Sequence, residues 1–247
     1  LSLLAKHKEA FAAVGTTVIV PPYDLVETCF NKYSMFQLLT EMGIPTGACY
    51  MDKEAFYRDK AAGKISYPVF VKPVTGSASL HINKVSSDQE LEVLFRLYSD
   101  LMIQEYMDGQ EYGADVYIDM ITGKVSSIFV KKKIRMRAGE TDKSVSFKDE
   151  KLFSLIQNFV ETCGFRGIID IDIFDIGGEY YISEVNPRFG GGYPHAYACG
   201  VNVPELIFEN LKMQETVPNI GAYEEGICMM KYNEIMIQRV ADDEIVM

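Results

Sequence analysis

The sequence predicts an α+β fold in which antiparallel strands and amphipathic helices share one chain. Two strand-like runs flank Gly177-Gly178, as expected for a β-hairpin. A second pair of strand-like runs, 112–120 and 124–133, flanks a glycine-containing turn at 121–123. Residues 148–163 lie between these hairpins and place apolar side chains at helical spacing. Hairpins separated by helices favour antiparallel sheets with helices packed on them.

The composition is that of an ordinary globular protein. Of the 247 residues, 48% are hydrophobic and 24% are charged, and the net charge is −11. So negative a chain is not expected to bind nucleic acid. No apolar run approaches the ~20 residues that span a bilayer, and no signal peptide is evident, so we expect no membrane partner. Five scattered cysteines without a Cys-x-x-Cys pair predict reduced thiols and a cytoplasmic location.

The first 45 residues predict a helix, a strand and a second helix. The first helix is expected to reach about Ala13, and the short strand covers 15–22. Residues 31–45 carry an apolar stripe that ends at Gly43, so they predict the second helix. Lys32 would lie in its first turn, where the helix dipole disfavours a cation. A nearby anion or simple exposure to solvent would each account for this lysine.

A small α/β unit is predicted next. A helix at 53–62 precedes a buried strand at 67–73, which contains Lys72 near its end. A loop of small residues at 75–79 leads into a returning strand at 80–85. A strand, a loop and a strand can cover phosphates with backbone N–H groups, although small residues also fill ordinary hairpins.

The middle of the chain predicts a helix at 88–98 and a strand at 102–107. Glu111 follows a turn and, taken alone, is typical of a surface acid. The basic run 131–140 usually indicates a solvated loop, but in so acidic a chain it would also suit a polyphosphate. Near the end, 204–211 predict a helix and 225–240 a pair of strands or a meander.

The hairpin at 167–186 carries the residues with the clearest chemistry. In its first strand acids alternate with isoleucine, so Asp170 and Asp172 share one face. On the return strand Glu184 and Asn186 share a face by the same period. The length of the turn decides whether these two faces coincide.

Two turns are possible between these strands. A two-residue loop at Gly177-Gly178 pairs Asp172 with Ser183 and turns Glu184 to the other side. A three-residue loop over 177–179 pairs Asp172 with Glu184, and we predict this longer loop. Opposed residues have Cβ atoms roughly 5 Å apart. Two carboxylates at that distance can share a magnesium ion, whose bonds to oxygen are about 2.1 Å long.

The same alternation of isoleucine and aspartate is also typical of a hairpin with one apolar and one solvated acidic face. The residues that follow favour a site instead. Asn186-Pro187-Arg188 supplies an amide ligand and a guanidinium for phosphate oxygens, and three glycines at 190–192 supply a flexible backbone. Such a set suits a metal–nucleotide site.

These motifs resemble the ATP-grasp family. Asp-Ile-Asp-Ile-Phe at 170–174, Glu-Val-Asn-Pro-Arg at 184–188 and Phe-Gly-Gly-Gly-Tyr-Pro at 189–194 look like its metal-binding end. Asn31-Lys32, a helix and then Gly-Ile-Pro at 43–45 resemble its start. The nearest likeness is to the ATP-binding domain of the carbamoyl-phosphate synthetase large chain. The resemblance implies the ATP-grasp fold, two α/β subdomains with antiparallel sheets that close on ATP.

The resemblance also implies a set of site residues. The metal ligands, for Mg²⁺ or Mn²⁺, are Asp172, Glu184 and Asn186, and the catalytic pair is Asn186 and Arg188, with Arg188 facing the transferred phosphoryl group. The nucleotide contacts are Lys32, Lys72 and Ser79 near the phosphates, Gln104, Glu105 and Met107 near the adenine, Glu111 at the ribose and Arg137 in a mobile loop. At Ser79 the sequence departs from the glycine common in the family.

The implied domain organisation is a remnant of a preceding domain at 1–22, an N-terminal subdomain at 23–107 and a C-terminal subdomain at 108–247. Residues 46–107 of the first subdomain would form a small lid. The chain is therefore expected to be a fragment that lacks most of the preceding domain.

The implied activity is Mg-ATP-dependent ligation. A carboxylate or bicarbonate is activated as an acyl phosphate and captured by ammonia or an amine, so the partners are small molecules, and a homodimer is allowed. One alternative is an ATP-binding module that turns nothing over alone because the preceding domain is missing. Another is a purely structural α/β protein.

Overall fold

The computed structural model describes residues 1–76 and 82–237, and these residues form helices packed on antiparallel sheets. The helices are α1 (Ser2–Lys6), α2 (Lys8–Ala13), α3 (Tyr23–Phe30), α4 (Lys32–Glu41), α5 (Lys53–Ala61), α6 (Asp88–Leu97), α7 (Glu150–Cys163), α8 (Tyr193–Ala198) and α9 (Val203–Leu211). The strands are β1 (Cys49–Tyr50), β2 (Val69–Pro73), β3 (Asn83–Val85), β4 (Leu101–Glu105), β5 (Gln110–Ile118), β6 (Val125–Arg137), β7 (Glu140–Phe147), β8 (Gly167–Ile176), β9 (Glu179–Asn186) and β10 (Cys228–Met230). The predicted α+β class is confirmed.

The smaller sheet has the strand order β1-β4-β2-β3, with every described pairing antiparallel. Helices α5 and α6 cover it, because Phe56 and Leu91 are fully buried and belong to the same apolar cluster as Val69, Val71 and Ile103 of the sheet. This packing holds the end of β2, and with it Lys72, in a fixed position.

The larger sheet has the order β10-β7-β6-β5-β8-β9 and is also antiparallel. Helix α7 packs on it through side chains such as Ile156 and Phe159, which lie in one cluster with Ile169, Ile171 and Ile173 of β8. The isoleucine face of β8 is therefore the core face, as the alternation predicted. The acidic face of the same strand points to the other side of the sheet.

The helix that contains Lys32 begins where the sequence predicted. The Asn31 side chain accepts a hydrogen bond from the Ser34 backbone N–H at 2.9 Å, which caps the first turn of α4. Gly43 follows the last turn with a φ of 68°, a conformation that favours glycine. Lys32 is thus the first residue of α4, at the end where the helix dipole is positive.

Two predictions for the N-terminal residues were wrong. The expected single helix is divided at His7 into α1 and α2, and Ala5 is the one residue of these two helices that is buried. With little burial, packing contributes little to holding the two helices in line. The expected strand at 15–22 is not observed, since these residues pair with no strand among the described residues. Val20 packs instead against Ala5.

Two further predictions were wrong in the C-terminal half. Arg137, expected in a mobile loop, lies instead at the end of β6, which continues to this residue and pairs with β7. Of the strand pair expected at 225–240, the described residues contain β10 alone, and 238–240 lie outside them. Among the described residues, no helix has the length and apolar composition that a membrane crossing requires.

Candidate functional site

The turn between β8 and β9 is shorter than predicted. Ile176 pairs with Glu179, so the loop consists of two residues, Gly177-Gly178. Both have positive φ, 64° and 87°, as a type I′ turn requires. The prediction of a three-residue loop was therefore wrong. By itself, the short turn would pair Asp172 with Ser183.

A β-bulge restores the opposition that the longer loop was meant to provide. Ile173 pairs with Ile182, but the next pair is Asp172 with Glu184, so Ser183 is the extra residue. The bulge shifts the alternation of β9 by one residue, and the two carboxylates lie directly opposite each other. The predicted pairing of Asp172 with Glu184 is confirmed, although it has a different cause.

The carboxylates line a cleft of about 770 Å³ that has residues of both sheets in its walls. Most of the residues predicted for the site also line it. These are Lys72, Gln104, Met107, Glu111, Arg137, Asp172, Glu184, Asn186 and Arg188. Apolar side chains, Phe70, Ile82 and Phe174 among them, form part of the wall. The cleft thus combines apolar walls with charged groups of both signs, as ligand sites commonly do.

Lys72 is buried in the wall of the cleft and has no counterion among the residues that the structure describes. It is 7% exposed, and among the described residues it forms no hydrogen bond or ion pair. Burial lowers the pKa of Lys72, and the negative charge of Glu184 partly offsets this effect. A buried ammonium without a partner is costly, so this position favours a bound anion.

Lys133 is a residue of the site that sequence reasoning missed. It is 8% exposed, and its ammonium lies 2.7 Å from Glu111 Oε1 and 2.5 Å from Asp172 Oδ1. Burial acts to lower the pKa of Lys133, but the carboxylates of Asp172 and Glu111 together raise it above its usual value. One cation therefore joins the residue expected at the ribose to a residue expected at the metal.

The neighbouring Lys131 is buried too, and its ammonium pairs with Asp115. Both lysines continue the strand that starts at Val125, and they point to one face because they are two residues apart. This period-two spacing was the signal available in the sequence. It was overlooked because consecutive lysines usually mark a solvated surface.

Asn186 and Arg188 lie together at the end of β9. Asn186 pairs with Asp170 across the hairpin, and its Oδ1 accepts a hydrogen bond from Arg188 Nη2 at 3.2 Å. Arg188 Nη1 lies 3.8 Å from Asp170 Oδ2. Burial and the nearby Asp172 raise the pKa of Asp170 to about 7. The guanidinium is about half exposed, so it can reach a ligand in the cleft.

The glycines after Arg188 allow the backbone to approach these acids closely. A Cβ added to Gly190 would lie 2.5 Å from Asp170 Oδ1, and one added to Gly192 would lie 2.6 Å from Lys131 Cε. No side chain fits at either position without displacing its neighbour. These glycines therefore allow the backbone to approach Asp170 and Lys131 closely.

Of the other predicted nucleotide residues, two do not line the cleft and one that lines it has a partner elsewhere. Lys32 is not among the residues lining it, and its ammonium contacts the Gly76 carbonyl at 2.6 Å. Glu105 is also absent from the lining, because its carboxylate accepts from the Ala48 N–H and its own N–H donates to the Ala48 carbonyl. Arg137 Nη2 donates to Asn233 Oδ1 at 3.1 Å. Ser79 lies outside the described residues.

The donor set fits a magnesium ion that is shared with phosphates. The described residues contain no group of three or more His, Cys, Asp or Glu side chains that could hold a metal. Asp172 and Glu184 supply two carboxylates, and Asn186 supplies an amide oxygen. Magnesium is usually bound by one or two carboxylates together with substrate phosphates, so this set is sufficient when a nucleotide supplies the remaining ligands.

Comparison with known proteins gives the fold that the sequence motifs predicted. Residues 98–235, more than half of the chain, match the family described as "ATP-grasp in the biosynthetic pathway with Ter operon". The chain is 25% identical to the carbamoyl phosphate synthase arginine-specific large chain of Geobacillus stearothermophilus, over 88% of this chain and 22% of that protein. It is 28% identical to the D-alanine–D-alanine ligase of Campylobacter concisus, over 73% of this chain and 56% of that one.

Among solved structures, the chain resembles the biotin carboxylase domain dimer of Hydrogenobacter thermophilus 2-oxoglutarate carboxylase, which was crystallised with MgADP and bicarbonate. The TM-score is 0.75 at 16% identity, over 92% of this chain and 55% of that one. The chain therefore has the predicted ATP-grasp fold, while it spans about a fifth of the length of the carbamoyl phosphate synthase relatives.

Proposed function

Because the chain belongs to the ATP-grasp family that its residues 98–235 match, we propose that it binds Mg-ATP in the cleft and uses it to ligate a carboxylate. One observation carries the proposal. The buried ammonium of Lys72, which has no counterion in the described part of the chain, lines the same cleft as the opposed carboxylates of Asp172 and Glu184. A polyphosphate bound with a divalent cation satisfies both at once, because its oxygens meet the ammonium and its metal meets the acids.

Each end of the nucleotide has suitable partners. Lys72 holds the α- and β-phosphates, and Lys32 approaches them from the positive end of α4. Glu111 accepts hydrogen bonds from the ribose hydroxyls, since a carboxylate can accept from two vicinal O–H groups. The adenine lies against the segment that contains Gln104 and Met107. The subdomains at 23–107 and 108–247 close on the nucleotide from its two sides.

The reacting end of the nucleotide meets the opposed acids. Asp172, Glu184 and Asn186 would hold magnesium, which when bound neutralises charge on the transferring phosphoryl group. Arg188 faces the γ-phosphoryl and the acyl phosphate, where its guanidinium stabilises developing negative charge. No covalent nucleophile from the protein is needed, since the residues act by positioning and by electrostatics.

The finer proposal concerns the substrates. An oxygen of a carboxylate or of bicarbonate attacks the γ-phosphorus, the bond to ADP breaks, and an acyl phosphate forms. The nitrogen of ammonia or an amine then attacks the acyl carbon, phosphate leaves, and the nitrogen loses a proton. The names of the relatives support this class, because a carbamoyl phosphate synthase and a D-alanine–D-alanine ligase are among them.

Replacement of Glu184 tests the proposal. Glu184→Ala should abolish magnesium-dependent ATP turnover while leaving the folded structure intact, because the side chain is half-buried and lines the cleft. Turnover is measured with a screen of carboxylates and amines, and folding by circular dichroism. Glu205→Ala, in α9 outside the cleft lining, is the matched control. A folded Glu184→Ala protein with full turnover would overturn the metal assignment.

A second candidate function is nucleotide binding without turnover. It is favoured by the lengths of the relatives that are named as enzymes. The chain spans 22% of the carbamoyl phosphate synthase large chain and 56% of the D-alanine–D-alanine ligase. Calorimetric binding of Mg-ATP with no ADP release, under conditions where a longer relative is active, would support it.

A further inference from the structure

Lys133 lines the cleft, and the proposed function gives it no role. Its ammonium contacts a carboxylate assigned to the ribose, Glu111, and one assigned to the metal, Asp172. A residue that only stabilised the fold would not need to occupy both places. The inference below rests on the proposed function, because the identities of the ribose and metal residues come from it.

Lys133 reaches Asp172 by crossing a neighbouring strand. Lys133 lies on β6 and Asp172 on β8, with β5 between them. Gly113 of β5 pairs directly with Asp172, and a Cβ at Gly113 would lie 3.1 Å from Lys133 Cε and 3.2 Å from Lys131 Cε. The glycine therefore leaves the space in which the lysine crosses the sheet.

Two of the three proposed metal ligands, Asp172 and Asn186, already contact cations of the protein itself. Asp172 Oδ1 is taken by Lys133, and Asn186 Oδ1 accepts from Arg188 Nη2 at 3.2 Å. A free divalent cation that approached these oxygens would meet two positive side chains. At such short range like charges repel strongly in a partly buried site.

The metal–nucleotide complex is attracted by the same positive side chains that repel the free metal ion. A divalent cation bound to ATP, which carries four negative charges at neutral pH, forms a complex of charge −2. Its phosphates are attracted by Lys133 and Arg188, while its metal still reaches the carboxylates. We propose that Lys133 is a positioning residue that makes the site select the metal–nucleotide complex over the free metal ion.

The test measures both ligands on the same variants. Lys133→Met removes the charge, and Lys133→Gln removes it while retaining a hydrogen-bond donor. Binding of Mn²⁺ alone is followed by the electron paramagnetic resonance signal of free Mn²⁺, and binding of Mn²⁺ with the non-hydrolysable analogue AMP-PNP by calorimetry. Lys132→Met is the control, because Lys132 is adjacent to Lys133 on β6 and therefore points to the other face of the sheet.

We expect the two affinities to change in opposite directions. Both Lys133 variants should bind Mn²⁺ alone about tenfold or more tightly than the wild type and the AMP-PNP complex about tenfold more weakly. The Lys132 control should change neither. A misfolded variant would lose both affinities, so a rise in one of them cannot come from structural damage.

Failure of the inference differs from failure of the proposed function. If the wild type binds the Mn²⁺–AMP-PNP complex but the folded variants bind Mn²⁺ alone no more tightly than it does, Lys133 does not select the complex. Loss of both affinities in both variants would likewise assign Lys133 a structural role and overturn the inference. If the wild type binds no Mn²⁺–AMP-PNP at all, the proposed function itself is wrong.

Discussion

Replacement of Lys72 by methionine should make the protein more stable and less able to bind nucleotide. The ammonium is 7% exposed and has no partner among the described residues, so the folded state bears the cost of its desolvation. Methionine has a similar length and no charge. We expect the free energy of unfolding to rise by about 1–2 kcal/mol, within the range that single stabilising substitutions commonly give.

The gain in stability converts into a measurable shift in melting temperature. For a chain of this size 1 kcal/mol corresponds to about 2–4 °C, so Lys72→Met should melt about 2–8 °C higher without nucleotide. The lost charge-assisted contact to phosphate is worth about 1.5–3 kcal/mol, which weakens binding about 10- to 150-fold.

Thermal melting with Mg-ATP separates the two effects. At a nucleotide concentration 100 times the dissociation constant, the wild type gains about 2.7 kcal/mol. A variant that binds 100-fold more weakly gains only about 0.4 kcal/mol at the same concentration. Lys84→Met, which removes an exposed lysine from β3 of the same sheet, should behave like the wild type. A Lys72→Met protein that melts lower without nucleotide, or that binds it with unchanged affinity, would refute the reasoning.

The difference in free energy of unfolding between Lys72→Met and the wild type should also depend on pH. Burial lowers the pKa of Lys72 in the folded state, so between this lowered pKa and the usual 10.5 the unfolded chain binds more protons than the folded one. The contribution of Lys72 to the free energy of unfolding of the wild type therefore rises with pH across that window. The advantage of Lys72→Met is largest below the lowered pKa and shrinks as the pH approaches 10.5. Urea titrations at several pH values measure it.

Two further predictions follow from close packing and from burial. Gly190→Ala should lower the nucleotide affinity, and it should lower the free energy of unfolding by about 1–3 kcal/mol, because the new Cβ would lie 2.5 Å from Asp170 Oδ1. The control is Gly63→Ala, where φ is positive but no atom lies within 4 Å of the added Cβ. This variant should lower the free energy of unfolding without changing the nucleotide affinity. Cys228 is exposed and should react first with a thiol reagent. Burial raises the pKa of Cys29 and of Cys49 to about 12, so these two thiols should react only on unfolding. A fast phase of the thiol reaction that survives Cys228→Ser would contradict this prediction.

Local periodicity in the sequence was sufficient to predict most elements. Helices α4 to α7 and both hairpins lie within a few residues of their predicted positions, because apolar spacing and caps are encoded by near neighbours. The burial of Lys131 and Lys133 could not be inferred in this way. Their partners Asp115 and Asp172 lie 16 and 39 residues away in the chain, so only the tertiary structure neutralises the charges.

The opposition of Asp172 and Glu184 is a more instructive case, because the sequence contained a signal for the bulge that was not used. In a regular strand, residues an odd number apart point to opposite faces. Ile182 and Val185 are three residues apart, yet they are 0% and 1% exposed in the same core cluster. Both can face the core only if one residue between them is extra, and that residue is Ser183. The apolar pattern of β9 therefore requires a bulge with a two-residue turn, and core burial rather than loop length fixes the side on which Glu184 lies.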